Sequence, residues 1–130
     1  MRADIESFFQ SYVAAYNGGD ATAIARHISA PGLLIERTTT VWATDADVLA
    51  AMERLLAFYR ANGFKRASCV LKRLVEQGTK HAVADVLWTI ERTAGAAAWS
   101  FHTGYNLHRA DGRWRIVACT AYEEMAARAG

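Results

Sequence analysis

The sequence predicts an α+β fold, with helices in the first half of the chain and strands in the second half. Two observations predict it. Before residue 63, apolar residues recur in two long segments at intervals of three and four positions, which is the period of a helix with one buried face. From residue 64 to residue 122 they alternate with polar residues, which is the period of a strand. Helices that precede a block of strands are typical of α+β proteins.

Three helices are predicted before the long strands. The first spans residues 4–17, with Asp4 as its cap, and two glycines end it. The second is short and spans residues 21–28 after the capping residue Asp20, and a Pro-Gly pair stops it. The third begins at the capping residue Asp45 and closes at an Asn-Gly pair. Each of the three has apolar residues on one face and is expected to bury that face.

Six strands are predicted. A short pair, residues 33–37 and 38–42, lies between the second and third helices, because its residues are apolar or β-branched. Four longer strands follow, over residues 64–77, 80–92, 97–109 and 113–122. The turn before the last of them contains Asp111-Gly112, which is a strong hairpin signal. A short polar or helical tail, residues 123–129, follows.

The length of these strands predicts the shape of the sheet. Strands of ten or more residues are longer than average, and long strands in one antiparallel sheet twist and coil. We therefore expect a curved sheet with a hollow side. Strict alternation in the strand 64–77 places Leu71 and Val75 on one face, and Val70 and Leu74 on the other.

Composition restricts the class of protein. The chain has 130 residues, 52% of them apolar, which suits one folded domain over residues 1–130 with a real core. The net charge is +2 and no basic run exceeds two residues, so no nucleic-acid partner is expected. Neither a signal segment nor an apolar run of about 20 residues is present, which predicts a soluble cytoplasmic protein with no membrane contact.

The residue types that usually bind metals and cofactors show no typical spacing. Cys69 and Cys119 both fall in predicted strands, outside any Cys-x-x-Cys motif, and are interpreted as small reduced core residues. The four histidines are scattered, which argues against a metal site. There is no glycine-rich phosphate loop, so no cofactor is predicted.

Two stretches resemble a known superfamily. The segment Tyr12–Asp20 and the hairpin segment Asp111–Ile116 are similar to parts of nuclear transport factor 2-like (NTF2-like) proteins, in the SnoaL-like and ketosteroid isomerase-like branch. The order of elements is also similar over nearly the whole chain. The resemblance implies a cone-shaped fold, in which a curved mixed or antiparallel sheet wraps around three N-terminal helices. It also implies a pocket between the sheet and the helices.

The same resemblance points to catalytic candidates. Tyr12 matches the tyrosine that steadies an oxyanion in the steroid isomerases, and Glu36 matches their general base. The third group of those enzymes, a carboxylic acid, is missing, and His102 or Tyr105 is the candidate replacement donor. Each has a plain structural alternative. Tyr12 can be an ordinary core aromatic, and Glu36 can be a solvated charge or pair with a nearby cation such as Arg92.

Further residues are candidates for contact with a ligand, because they are aromatic or polar and lie on predicted pocket elements. They are Tyr16, Trp42, Tyr59, Asp85, Trp88, Arg92, Tyr105 and Tyr122. Alternation in the strand 80–92 places Trp88 and Arg92 on one face and Asp85 on the other. Asp85 with a histidine would form an acid/base pair, and its alternative reading is a charge on the sheet surface.

Two functions remain open on these residues. The first is a cofactor-independent pocket protein that binds an apolar or aromatic small molecule, either without turnover or as an isomerase, cyclase or dehydratase that transfers protons. The second is a non-catalytic interaction or structural module whose interior is packed shut. In both, the load of aromatic residues on the long strands predicts a homodimer through the sheet, because large apolar patches seldom stay exposed.

Overall fold

The fold is described for residues 1–129 by a computed structural model. The helices in this range are α1 (Arg2–Asn17), α2 (Ala21–Ala25), α3 (Asp45–Ala61) and α4 (Glu124–Ala129). The strands are β1 (Ile28–Ile35), β2 (Thr39–Trp42), β3 (Phe64–Gln77), β4 (His81–Arg92), β5 (Trp99–Ala110) and β6 (Arg113–Thr120). Three helices precede the block of long strands, so the predicted α+β class is confirmed.

The strands form one curved, mixed sheet. Its order is β2-β1-β6-β5-β4-β3. All neighbours are antiparallel except β1 and β6, which run parallel. The predicted hairpin between β5 and β6 is present, and Asp111 and Gly112 both have positive φ, as tight hairpin turns require. The predicted sheet wrapped around the first three helices is therefore confirmed.

Helix α1 packs its apolar stripe against the concave face of this sheet. Ile5, Phe9, Tyr12 and Tyr16 are all buried, at the spacing of one helical face. The predicted cap is wrong, because the helix starts at Arg2 and its N-cap is Met1, without a side-chain hydrogen bond. The predicted cap residue lies inside the first turn instead, where its negative charge suits the helix dipole.

The N-cap of helix α3 lies one residue before the predicted cap. Its N-cap is Thr44, whose hydroxyl accepts from the Asp47 backbone N–H at 3.2 Å. The Asp47 carboxylate accepts from the Thr44 backbone N–H at 3.1 Å, which completes a capping box. Asp45, the predicted cap, is the first helical residue. A capping box needs an acceptor three residues before an acidic residue, and only Thr44 meets that spacing here.

The second predicted helix is too long. Asp20 caps α2 as expected, with its carboxylate accepting from the Ala23 backbone N–H at 3.1 Å. The helix then ends at Ala25, and Ile28 already pairs with Ile116 in the sheet. The Pro-Gly pair, predicted as a helix stop, lies inside β1. Strand β1 pairs with β6 on both sides of this pair, at Ile28 and Leu33, and Gly32 pairs with β2, so tertiary contacts override the local stop signal.

A β-bulge changes the faces of β3. Leu71 is opposite Val86 of β4, yet Leu74 is opposite Ala84, so the ladder skips one residue between them. The bulge places Leu74 on the core side and leaves Val75 53% exposed on the outer face. The prediction from strict alternation, which put Val75 with Leu71, is therefore wrong for the last part of this strand.

The core lies between the concave face and the helices. Side chains from α1, α3, β4 and β5 form one continuous buried cluster. Aromatic rings dominate its centre, where Tyr12 lies 5.8 Å from Trp88 and 6.2 Å from Tyr105, between ring centroids. None of the helices within residues 1–129 is long and apolar enough to cross a membrane.

Candidate functional site

A cavity of about 340 Å³ lies between the concave face of the sheet and the helices α1 and α3. The sheet contributes inward-facing residues of β4 and β5, including Trp88, Phe101 and Thr103. Helix α3 contributes Met52 and Leu55 to the opposite wall. Most of these side chains are apolar, so the cavity can hold an apolar molecule while a few polar groups orient it.

Three tyrosine hydroxyl groups line the inner part of this cavity. The Oη atoms of Tyr12 and Tyr16 lie 3.1 Å apart, so one of them donates to the other. The indole Nε1–H of Trp88 donates to the Oη of Tyr105 at 2.9 Å. Within residues 1–129, the Tyr105 hydroxyl proton has no acceptor, and one proton of the Tyr12–Tyr16 pair has none either. Two phenol protons are therefore available to an acceptor in the cavity.

These phenols remain protonated at neutral pH. Burial raises the pKa of Tyr12, Tyr16 and Tyr105 well above the ordinary tyrosine value, because a phenolate would lose its hydration there. Their mutual charge repulsion as phenolates raises each pKa further. The site therefore offers hydrogen-bond donors and does not offer a tyrosine base.

Charged side chains line the outer part of the cavity. Glu36 and Arg54 are exposed, and neither makes an ion pair within residues 1–129. Glu124 and Arg128 of α4 pair with each other and are both largely buried. These four residues amount to two positive and two negative charges, so the cavity has no net charge.

Helix α4 closes one side of the cavity. The Tyr59 hydroxyl of α3 donates to the Glu124 carboxylate at 2.8 Å. The Arg128 guanidinium lies over the ring of Phe58, 4.4 Å from its centroid, which adds a cation–π contact. Burial raises the pKa of Tyr59, and the neighbouring Glu124 raises it further. The last helix is thus tied to α3 by residues that also line the cavity.

The structure brings most of the predicted site residues together. Those that line the cavity are Tyr12, Tyr16, Glu36, Trp42, Tyr59, Trp88 and Tyr105. Those that do not are Asp85, Arg92, His102 and Tyr122. The division follows the faces of the strands, since the residues outside the cavity lie on the outer face of the sheet, at a strand end or beyond it.

His102 lies on the wrong face of β5 for a role beside Tyr12. The buried residues of this strand are the odd-numbered ones, among them Phe101, Thr103 and Tyr105. His102 therefore faces outward, where its Nδ1 lies 2.9 Å from the Glu123 carboxylate. Its backbone N–H also donates to that carboxylate at 2.7 Å, which lowers the pKa of Glu123. The prediction that His102 shares a site with Tyr12 is therefore wrong, because His102 lies on the outer face of β5.

The other three residues outside the cavity have structural partners. Tyr122 is 53% exposed and donates its hydroxyl to Asp85 at 2.9 Å on the outer face. Arg92 donates from Nε to the Asn62 carbonyl at 2.9 Å, and its guanidinium covers the Trp99 ring at 4.2 Å. Arg92 therefore does not pair with Glu36, which corrects that expectation. It fastens the end of β4 to the end of α3.

Three residues that line the cavity could contact a ligand but are not predicted as site residues from the sequence. Glu124 and Arg128 fall in a tail with no long periodic pattern, although an acid and a base four residues apart are a helix signal. Thr103 is a polar residue 3% exposed on the cavity side of β5. The alternation of β5 could have revealed it, because Thr103 shares the parity of Tyr105.

The cysteines are poor nucleophiles in this fold. Burial raises the pKa of Cys119, which lines the cavity, to about 12, and that of Cys69 to about 11. Both thiols are free, and both stay protonated at neutral pH. Within residues 1–129, no group of three or more His, Cys, Asp or Glu side chains is arranged to hold a metal ion.

Solved structures with the same fold extend over nearly the whole chain. An NTF-2 like protein of unknown function from Shewanella oneidensis is 17% identical, with a TM-score of 0.77 over 93% of this chain and 98% of that one. An NTF2-like protein with a cystatin-like fold from Novosphingobium aromaticivorans is 19% identical, with a TM-score of 0.70 over 98% and 86%. A ketosteroid isomerase-like protein from Erwinia carotovora atroseptica is 16% identical, with a TM-score of 0.68 over 92% and 93%. At these identities the likeness shows the fold alone.

Sequence comparison gives the family. A search of curated proteins gave no match. The family model described as NTF2-like protein (DUF6841) matches residues 3–124, which run from the first turn of α1 to the first residue of α4. The chain therefore belongs to this NTF2-like family.

Proposed function

We propose that this protein binds a small, largely apolar molecule that carries a neutral oxygen acceptor, such as a ketone. The observation that carries the proposal is the cavity of about 340 Å³ between the sheet and the helices, with two phenol protons that have no acceptor within residues 1–129. Ligand sites usually combine apolar walls with a few polar groups that fix orientation, and this cavity has that composition.

The size of the cavity supports binding over a purely structural role. Small-molecule sites have volumes of about 300–1,000 Å³, and this cavity lies at the lower end of that range. A module whose interior serves only stability should be filled to the density of an organic crystal. The aromatic residues here line the space without closing it.

The polar groups indicate the kind of ligand. A carbonyl oxygen can accept from Tyr105 or from the Tyr12–Tyr16 pair, and each such bond stabilises the complex by about 0.5–1.5 kcal/mol. The balanced charges of the outer part favour a ligand without net charge. An apolar body of one or two rings would contact Trp88 and Met52.

A pair of matched variants tests the proposal. Acetonaphthone, a neutral aromatic ketone, should quench the fluorescence of Trp42 and Trp88, which line the cavity. Ala51→Phe places a ring into the cavity from α3 and should abolish binding, whereas Ala57→Phe, exposed on the same helix, should leave it unchanged. Equal affinity in the two variants would contradict binding in this cavity.

A second function is favoured by one observation. Tyr12 and Glu36, predicted as donor and base, line the same cavity. The second function is proton transfer on a bound ketone. The Glu36 carboxylate would take a proton from the carbon beside the carbonyl, and a tyrosine hydroxyl would stabilise the enolate oxygen. The same carboxylate would then return a proton to that carbon. The similarity to a ketosteroid isomerase-like protein supports testing this reaction.

Deuterium exchange separates turnover from binding. In heavy water, proton transfer would exchange the methyl hydrogens of acetonaphthone, and mass spectrometry would count the deuterium atoms gained. Tyr12→Phe and Glu36→Gln should each slow exchange by about a hundredfold if they are donor and base. Glu53→Gln, on α3 outside the cavity, is the control. Unchanged exchange in both variants would leave binding as the function.

A further inference from the structure

A second cavity lies on the other side of Ile28, outside the site described above. It has a volume of about 260 Å³ and is formed by α2, the start of α3 and the start of β6. Its polar lining consists of Thr22, Arg26, Asp45, Arg113 and Arg115. No step of the proposed function uses these residues.

The charge of this cavity is strongly positive. Three guanidinium groups face one carboxylate, which leaves an excess of two positive charges, as large as the net charge of the whole chain. Within residues 1–129, none of the three arginines makes an ion pair, and none donates a side-chain hydrogen bond. Like charges gathered without partners destabilise one another, and an anion in the cavity would remove that repulsion.

Separate parts of the chain supply the arginines. Arg26 ends α2, whereas Arg113 and Arg115 are alternate residues at the start of β6 and so project to the same side. The hairpin turn before β6 and the pairing of Ile28 with Ile116 bring the two regions together. Burial lowers the pKa of His27, next to Arg26, and the positive charge of Arg113 lowers it further.

The shape and the apolar wall of the cavity indicate more than a bare ion. Ala25, Ile28 and Leu49 form the apolar part of its lining. Guanidinium groups bind phosphoryl oxygens with two parallel hydrogen bonds, which makes arginine clusters typical of phosphate recognition. We propose that this cavity binds the phosphoryl group of a small organic phosphate, with the arginines on its oxygens and its apolar part against Ile28 and Leu49.

Calorimetry with phenyl phosphate tests this site on the intact protein. Binding should weaken by about tenfold or more in Arg26→Gln and in Arg113→Gln, because each removes a charged hydrogen-bond donor. Arg109→Gln removes a positive charge from the same hairpin outside the cavity and should bind like wild type. The two test residues lie on different elements and are exposed, so one variant remains informative if the other fails to fold.

Two further measurements show which cavity binds phenyl phosphate and whether its organic part contributes to binding. Ala51→Phe, which fills the larger cavity, should leave phenyl phosphate binding unchanged, so this proposal and the proposed function fail separately. Inorganic phosphate should bind about tenfold more weakly, because it cannot use the apolar wall. The proposal would be overturned if Arg109→Gln lost as much affinity for phenyl phosphate as the two test variants, or if Ala51→Phe lost affinity for it. It would also be overturned if inorganic phosphate bound as tightly as phenyl phosphate, or if phenyl phosphate did not bind at concentrations of about 10 mM.

Discussion

Tyr105 shows how one residue sets the chemistry of the cavity. Its oxygen is occupied by the Trp88 indole N–H at 2.9 Å, while its proton has no acceptor within residues 1–129. The bond from the indole holds this hydroxyl in place at the cavity wall and leaves its proton available to a ligand. Such fixed donors bind an oxygen with little loss of conformational freedom.

Tyr105→Phe should weaken the binding of acetonaphthone by about twofold to tenfold, because one neutral hydrogen bond is lost. Ethylnaphthalene, which has a similar shape and no oxygen, should bind the variant and the wild type alike. Fluorescence titration measures both ligands. Tyr122→Phe, on the outer face, should change neither affinity. A loss of equal size for both ligands would show a packing defect instead of a lost donor.

The buried tyrosines also predict how stability depends on pH. Burial raises the pKa of Tyr12, Tyr16, Tyr59 and Tyr105 in the folded state, relative to about 10 in the unfolded chain. Their contribution to stability is therefore complete below pH of about 10 and is lost as the pH rises further, because the unfolded state then releases protons more readily.

The free energy of unfolding in urea should accordingly fall steeply above pH of about 10. Tyrosinate absorbance should appear together with the loss of folded structure, in one transition. Replacing Tyr16 by Phe should make the fall shallower, because one titrating group is removed. Ionisation of three or four tyrosines near pH 10 with the fold intact would contradict this account.

Single residues also show where sequence reasoning about the site succeeded and where it did not. Tyr12 and Glu36 were predicted from a resemblance, and both line the cavity. His102 and Tyr105 were proposed as replacements for one donor, yet they are three positions apart on one strand. Side chains of a strand alternate between faces, so only one of the two can reach the cavity.

At the scale of elements, β-bulges decide what alternation alone cannot. A bulge between Leu71 and Arg73 reverses the faces of the rest of β3. No local residue pattern marks this position, because a bulge depends on pairing with β4. Strand β1 is a similar case, since it pairs with β6 before and after its Pro-Gly pair, with a register shift between the two paired parts.

The bulge predicts unequal effects for two neighbouring residues. Leu74→Ala should lower the free energy of unfolding by about 1–2 kcal/mol, because Leu74 packs against the core. Val75→Ala should change it by less than about 0.5 kcal/mol, because Val75 is 53% exposed. Urea denaturation measures both. A larger effect of Val75→Ala than of Leu74→Ala would indicate that the side chains of β3 alternate without a bulge.

For the whole molecule, the order and period of the elements were sufficient to predict the fold class and the curved sheet. The cavity was expected only from the resemblance, because its volume depends on how closely α1 and α3 approach β4 and β5. No periodicity specifies that distance. The role of α4 as one wall of the cavity likewise depends on the contact between Tyr59 and Glu124.

The homodimer through the sheet remains a prediction. On the outer face, Val70 is 56% exposed and lies opposite Leu87 of the next strand, while Val75 lies opposite Val83. Apolar pairs of this kind on adjacent strands form a surface that a second copy could cover. Sedimentation velocity at micromolar concentration should show a dimer.

Two substitutions that introduce a negative charge, one on the proposed interface and one away from it, test the dimer. Val70→Glu should shift the sedimentation toward monomer, because it would bury an unpaired carboxylate at the interface. Val41→Glu, at a site 61% exposed on β2 at the opposite edge of the sheet, should not. A wild-type protein that sediments only as a monomer would contradict the prediction.

The central claim is that the space between the sheet and the helices is a ligand site, and nuclear Overhauser contacts test it most directly. Acetonaphthone mixed with the protein should show contacts from its ring protons to the rings of Trp88 and Tyr105 and to the methyl group of Met52. Contacts confined to outer-face residues such as Tyr122, or no contacts at saturating ligand, would contradict the account.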